Sequence, residues 1–194
     1  MEKRGLSCSD FRVRYLVGEI GWHRLYDRTF ENFDFSDNRL LQKFLYQKVS
    51  EDRWVKGVAL IGDVGVGKTH LLIALYKNRV WEYVYGVERR PVWISWYEFV
   101  IDVRKYGREL LNEVVFDNGI FFVDDFFVRV SEREFEREII AEFVYRIYDL
   151  RKVLCFSSNF EISRVDVDER VKDRLREMVD EVIVRGRSRR DQIE

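Results

Sequence analysis

Cysteine is almost missing from this 194-residue chain, with Cys8 and Cys155 the only two. They stand far apart and match no metal-ligand spacing, so neither a zinc framework nor a disulfide scaffold organises the fold. Cys155 lies in the apolar run VLCF and is expected to be a small buried hydrophobe. Two unpaired thiols suit a reducing cytoplasm, which is the compartment expected. Histidine is equally scarce, and neither His23 nor His70 has a partner at metal spacing. Net charge is missing too: 34 Lys and Arg against 35 Asp and Glu leave −1, so no global basic field announces a nucleic acid. Any such contact must rest on a local patch. No uncharged apolar run approaches a membrane span, and the opening MEKRGLSCSDFRVRY is charged throughout, without the apolar stretch of a secretion signal. Low-complexity segments and internal repeats are missing as well. A single proline beside 36% charged residues is a balance common in thermophile proteins.

What is present suffices for one domain. Hydrophobic residues make up 46% and aromatics 15%, enough for a sizeable core and too many for a disordered chain. Residues 1–28 show no clear period and are expected to form an arm or short helix before a domain at residues 29–194. Leu40, Leu41, Phe44, Leu45 and Val49 fall at helical spacing. GVALIG reads as a buried strand over Val58 to Ile61, followed after a glycine loop by a helix from about Lys68 to Val80. PVWIS is a second strand. Ser95 with Glu98 forms an S-x-x-E capping box that opens the next helix, which Gly107 interrupts. GIFFVDD is a third strand. Ser131 and Glu134 form a second capping box, before a helix with Phe135, Ile139, Phe143 and Ile147 on one face. KVLCFSSN is a fourth strand, residues 168–178 a helix, and EVIVRG a fifth strand. The strands are nearly continuous apolar runs, as expected for a mostly parallel sheet covered on both faces, so the class is α/β. Polar residues gather at the carboxyl ends of the strands, where such folds bind ligands.

Gly62 to Thr69 fits G-x-x-x-x-G-K-[ST] without mismatch. Glycines let backbone N–H groups fold around phosphates, Lys68 reaches the β- and γ-phosphates, and the Thr69 hydroxyl is a ligand for Mg2+. The candidate cofactor-binding set is Gly62, Asp63, Val64, Gly65, Val66, Gly67, Lys68, Thr69 and His70. Asp124, at the end of a buried strand, suits the carboxylate that orients Mg2+, and Asp125 beside it suits polarisation of the attacking water. Two acids at a strand end are also met as plain solvated residues. Asn159 closes FSSN, where an amide can hold the lytic water or the γ-phosphate; Asn is a common turn residue as well. Arg170, Arg174 and Arg176 share one helix, either to meet a phosphate or to pair with neighbouring acids on a solvated face. The basic RGRSRR segment suits phosphates or a frayed terminus.

Taken in order, these segments resemble the AAA+ ATPases of the DnaC/DnaI helicase-loader and IstB transposition-helper type. TFENF is similar to that family's lead-in, GVGKTHLL to its phosphate loop, FFVDDF to its Walker B strand, and VYRIYDLRKVLCFSSN to its sensor segment. ERVKDRLREM resembles its arginine-finger box and GRSRR its closing segment. The resemblance covers residues 28–192. It implies a P-loop three-layer sandwich with a five-stranded sheet in the order 5-1-4-3-2, and the chain's end at the fifth strand matches loaders without a C-terminal helical lid. It also implies ATP and Mg2+ as cofactors and slow hydrolysis, with Lys68, Asp125, Asn159 and Arg174 catalytic. Arg174 would act on the site of a neighbouring copy in an ATP-dependent oligomer, Asn159 would be the first sensor, and Arg190 matches the family's late arginine. Single-stranded DNA would meet Arg133, Phe135 and Arg190, although Phe135 also fits the core face of its helix. The implied partner is a replicative helicase, or a transposase with duplex DNA in the IstB-like case. An ATP-gated module with negligible hydrolysis stays open because Asp125 stands where many related ATPases carry Glu. A small-molecule phosphotransferase is disfavoured, since no arginine-bearing lid segment lies between strands three and four.

Overall fold

A computed structural model of the chain describes residues 27–84, 90–127 and 133–186. Among them, helix α1 (Arg39–Val49) precedes strand β1 (Gly57–Ile61), α2 (Lys68–Val84), β2 (Pro91–Ser95), α3 (Trp96–Tyr106) and α4 (Glu109–Asp117). Strand β3 (Ile120–Asp124), α5 (Arg133–Asp149), β4 (Val153–Ser158), a 3-10 turn (Ile162–Arg164), α6 (Glu169–Met178) and β5 (Val179–Ile183) follow. The five strands form one sheet in the order β2-β3-β4-β1-β5, every neighbouring pair parallel. This is the expected 5-1-4-3-2 order read from the other edge.

Period-two alternation assigns the two faces of the sheet to different helices. Ala59, Ile61, Phe121, Val123, Leu154 and Phe156 point into a core shared with α3, α4, α5 and α6. Val58, Leu60, Ile120, Phe122, Val153 and Cys155 point the other way, into a core built with α1, α2 and the lead-in phenylalanines Phe30, Phe33 and Phe35. Both faces are therefore dry, which is why the strands read as unbroken apolar runs.

Four local expectations change. The buried stripe of α1 is Leu41, Leu45 and Lys48, whereas Leu40 is 85% exposed. The helix carries more apolar residues than its core-facing side can take, and the buried Lys48 places its ammonium 5.5 Å from the Trp54 ring centroid and 2.9 Å from Glu51. Helix α2 runs a turn past Val80, because no breaker follows. Ser95 takes the N-cap position of α3 without a side-chain cap bond. It is also the last residue of β2, held in register opposite Asp124, so the capping box does not form. Strand β5 starts at Val179, two residues before EVIVRG, because α6 passes into it with no loop and its pairing with β1 runs from Gly57↔Val179 to Ile61↔Ile183. Ser131 of the second expected capping box lies outside the described residues.

Candidate functional site

The loop joining β1 to α2 lies at the carboxyl edge of the sheet. Gly65 and Gly67 take φ of 87° and 102°, the left-handed region that glycine enters without steric cost. Gly67 is fixed from outside as well, since a Cβ there would sit 2.7 Å from the Phe33 ring. Gly62 allows a close backbone approach, as a Cβ would lie 2.4 Å from the Val184 carbonyl oxygen. The loop is thus pressed between the lead-in and the segment leaving β5. Asn38 strengthens that clamp. It occupies the N-cap position of α1 but spends its amide across the molecule, accepting from Arg185 N–H at 2.8 Å and donating to the Arg185 carbonyl at 2.6 Å.

Lys68 opens α2 and is only 6% exposed. Its ammonium donates to the carbonyls of Gly62 at 2.8 Å and Asp63 at 2.7 Å, so it lies across the loop. The Thr69 hydroxyl donates to Asp124 Oδ1 at 2.9 Å. The Ser157 hydroxyl donates to the same oxygen at 2.6 Å and accepts the Asp125 N–H at 2.8 Å. Sheet register explains the meeting. Pairing of Val123 with Phe156 brings Asp124 level with Ser157, and alternation turns both toward α2. Burial pushes the Asp124 carboxyl above its usual range, and the hydrogen bond from Ser157 and then that from Thr69 offset part of the rise. Asp125 is exposed, with φ of 52°. Asn159 lies just past β4 and lines one cleft with Gly62, Asp63, Val66, Arg164 and Arg185.

This donor set fits a nucleoside triphosphate with magnesium. It offers a glycine cradle, the N-terminus of a 17-residue helix, one reachable ammonium, and a hydroxyl with a carboxylate at bonding distance. Magnesium keeps waters and phosphate oxygens around it and needs only one or two protein ligands.

No protein-family model matches the sequence, and no curated protein matches it. Solved structures do. The crystal structure of DnaI superposes at TM-score 0.68 with 18% identity, over 86% of this chain and 93% of that one. The DnaC helicase loader gives 0.66 and 17%, over 84% and 99%. Replication initiator DnaA bound to AMPPCP and single-stranded DNA gives 0.63 and 22%, over 82% of this chain and 50% of that one. The chain thus spans about half the length of the replication initiators it matches. It has the P-loop AAA+ fold.

Within the AAA+ fold, the remaining expected site residues are scattered. Arg174 of α6 is half-buried, its guanidinium 4.5 Å from the Tyr145 ring centroid and 5.2 Å from that of Tyr148. Its Nη1 donates to the Arg170 carbonyl at 3.2 Å, while its Nε is buried with no acceptor. His70 turns away from the mouth of the loop. Two residues past Lys68 it lies about 200° round the helix, where Nε2 donates to the Thr29 carbonyl at 2.7 Å and the ring meets Phe33 edge-on. It pins the lead-in and does not face the phosphate cradle. Phe135 packs half-buried against the core, with the Arg104 guanidinium 5.0 Å above its ring. Arg133 starts α5, but its side chain lies outside the described residues, as does all of Arg190. Ser157 lies inside the FSSN segment, where only Asn159 was assigned a role; Asn38 had no motif, its only signal being an Asn before a helical stripe.

Proposed function

We propose that the chain binds ATP with Mg2+ and hydrolyses it slowly between copies of itself, in the service of loading a replicative helicase onto single-stranded DNA. The observation that carries the reading is the Thr69–Asp124 hydrogen bond at the carboxyl edge of the sheet, next to Lys68 lying across the glycine loop. The likeness to DnaC and DnaI supports the process, and a DnaA neighbour bound to single-stranded DNA supports the ligand.

Magnesium, when bound, would supply positive charge to offset the negative charge that grows at the transferred group. Lys68, which now donates to the Gly62 and Asp63 carbonyls, would give its charge to the β- and γ-phosphates, with the loop N–H groups as further donors. Thr69 and Asp124, already hydrogen-bonded to each other, would hold the cation. Asp125, exposed beside Asp124, accepts the proton of the attacking water, and Asn159 orients that water from the tip of β4. Arg174 reaches the γ-phosphate held by a neighbouring copy, leaving its two tyrosines to do so. For single-stranded DNA, Arg133 and the Arg104-capped ring of Phe135 form the contact, with Arg190 adding charge. Arg174→Ala tests the shared site: ATP uptake measured by calorimetry persists while turnover falls at least about a hundredfold. Unchanged turnover removes the neighbouring-copy mechanism.

A further inference from the structure

We propose that Ser157 is a positioning residue of this site, its hydroxyl fixing the Asp124 carboxylate and the turn at Asp125 as one unit. The proposal rests on the reading of Asp124 as the magnesium carboxylate. A serine hydroxyl has one proton to give and two lone pairs to receive. Ser157 gives its proton to Asp124 Oδ1 at 2.6 Å and receives the Asp125 N–H at 2.8 Å. Its own carbonyl receives the Phe126 N–H, also at 2.8 Å. The residue is fully buried, so no solvent competes for these bonds.

Two hydroxyls share Asp124 Oδ1, and they are mounted differently. Thr69 stands in the first turn of α2, partly exposed, where a rotation about one bond redirects its oxygen. Ser157 is inside β4, paired with Leu60 of β1 on one side and level with Asp124 of β3 on the other. A cation would take a lone pair of the Thr69 hydroxyl, whose proton can stay on Asp124, while Ser157, held between two strands, keeps the carboxylate aimed. The Ser157 hydroxyl also secures Asp125, whose φ of 52° lies in the left-handed region that side-chain residues other than Asn and Asp seldom enter and that even Asp adopts at some cost. With the Ser157 bond removed, Asp125 is free to leave that conformation, and the carboxylate meant for the attacking water loses its place.

The test compares the full chain with Ser157→Ala and Ser157→Thr, the second keeping a hydroxyl. Without any ligand, hydrogen exchange at the Asp125 amide quickens about tenfold or more in Ser157→Ala and stays near the wild-type rate in Ser157→Thr. In magnesium titrations at fixed ATP, Ser157→Ala needs about tenfold more magnesium for half-saturation, as expected for losing one hydrogen bond to a charged group, and Ser157→Thr recovers most of the loss. ATP affinity in chelator stays within about twofold for all three proteins, since the hydroxyl touches no phosphate-cradling group. Unaltered magnesium demand in Ser157→Ala, with wild-type binding intact, overturns the proposal alone. A wild-type protein that takes up no magnesium-dependent ATP overturns the nucleotide reading and this proposal with it. An Asp125 amide that exchanges equally fast in the wild type and Ser157→Ala removes the claim about the turn.

Discussion

Lys68 and Thr69 carry the groups that would meet a triphosphate, and both are satisfied by the protein's own oxygens. The motif made both legible in the sequence, because it specifies residue type at fixed spacing before a helix. Cys155 was legible for a simpler reason, a small apolar side chain inside a strand, and it yields a prediction with a definite sign. Burial raises its thiol from 9.0 to about 12 and pushes the Tyr76 phenol in the same core to about 12 as well. The fold therefore favours the neutral thiol. That stability is complete below pH 9 and is lost as the unfolded thiol ionises and pH rises toward the folded value. In a Cys8→Ser background, a thiol reagent at pH 8 leaves Cys155 unmodified until the protein unfolds. Urea titrations show stability lower by about 1.4 kcal/mol at pH 10 than at pH 8 from this group alone, and Cys155→Ala removes that part of the slope. Rapid native-state labelling contradicts the burial. Ser157 shows where residue-level reading stops: its role depends on which strands are neighbours and in what register, and a serine near a strand end carries neither fact.

Elements were legible wherever apolar period and length agreed, and at the β2–α3 junction, where Ser95 marked the boundary although its capping box does not form. The start of β5 was misplaced, because α6 joins it without a loop. Met178 ends α6 and the next residue, Val179, starts β5, so no turn residue announces the boundary. The end of α5 had no signal either, because a non-glycine residue does the work of glycine. Arg151 takes φ of 50°, its N–H donates to the Tyr148 carbonyl at 2.9 Å, and the next N–H, of Lys152, donates to the Ile147 carbonyl at 2.8 Å. These two bonds form a Schellman ending whose left-handed position normally belongs to Gly. Arg151→Gly relieves a side chain held in the left-handed region and is expected to stabilise the protein by about 1 kcal/mol, raising the melting temperature by roughly 2–4 °C in a domain of this size. Differential scanning calorimetry reads the shift. A lower melting temperature means that contacts of the Arg151 side chain outweigh the backbone strain.

At the scale of the molecule, the nucleotide loop and Arg174 belong to separate parts of the surface. Lys68 and Asp124 gather at the carboxyl edge between α2 and β3, while the Arg174 guanidinium rests on Tyr145 and Tyr148 of α5. An arginine held on two aromatic faces with a buried Nε lacking an acceptor is incompletely satisfied within its own chain. A phosphate presented by a second copy would complete it. Sequence spacing could suggest the role of Arg174 only through family resemblance, since an arginine on a charged helix has no spacing that separates a phosphate ligand from a solvated face. The arrangement predicts complementation. Lys68→Ala cannot cradle a triphosphate but keeps Arg174; Arg174→Ala cradles it but has no arginine to lend. Each variant alone is expected to be nearly inactive. Mixed in equal amounts, a random assembly places an intact loop opposite an intact arginine at about one junction in four, so the mixture recovers about a quarter of wild-type turnover. The recovery grows with total protein concentration, because it depends on association. Phosphate release from the two variants, separately and mixed, measures it; a mixture no more active than the sum of its parts would confine the reaction to single copies and leave Arg174 on its tyrosines as a structural residue.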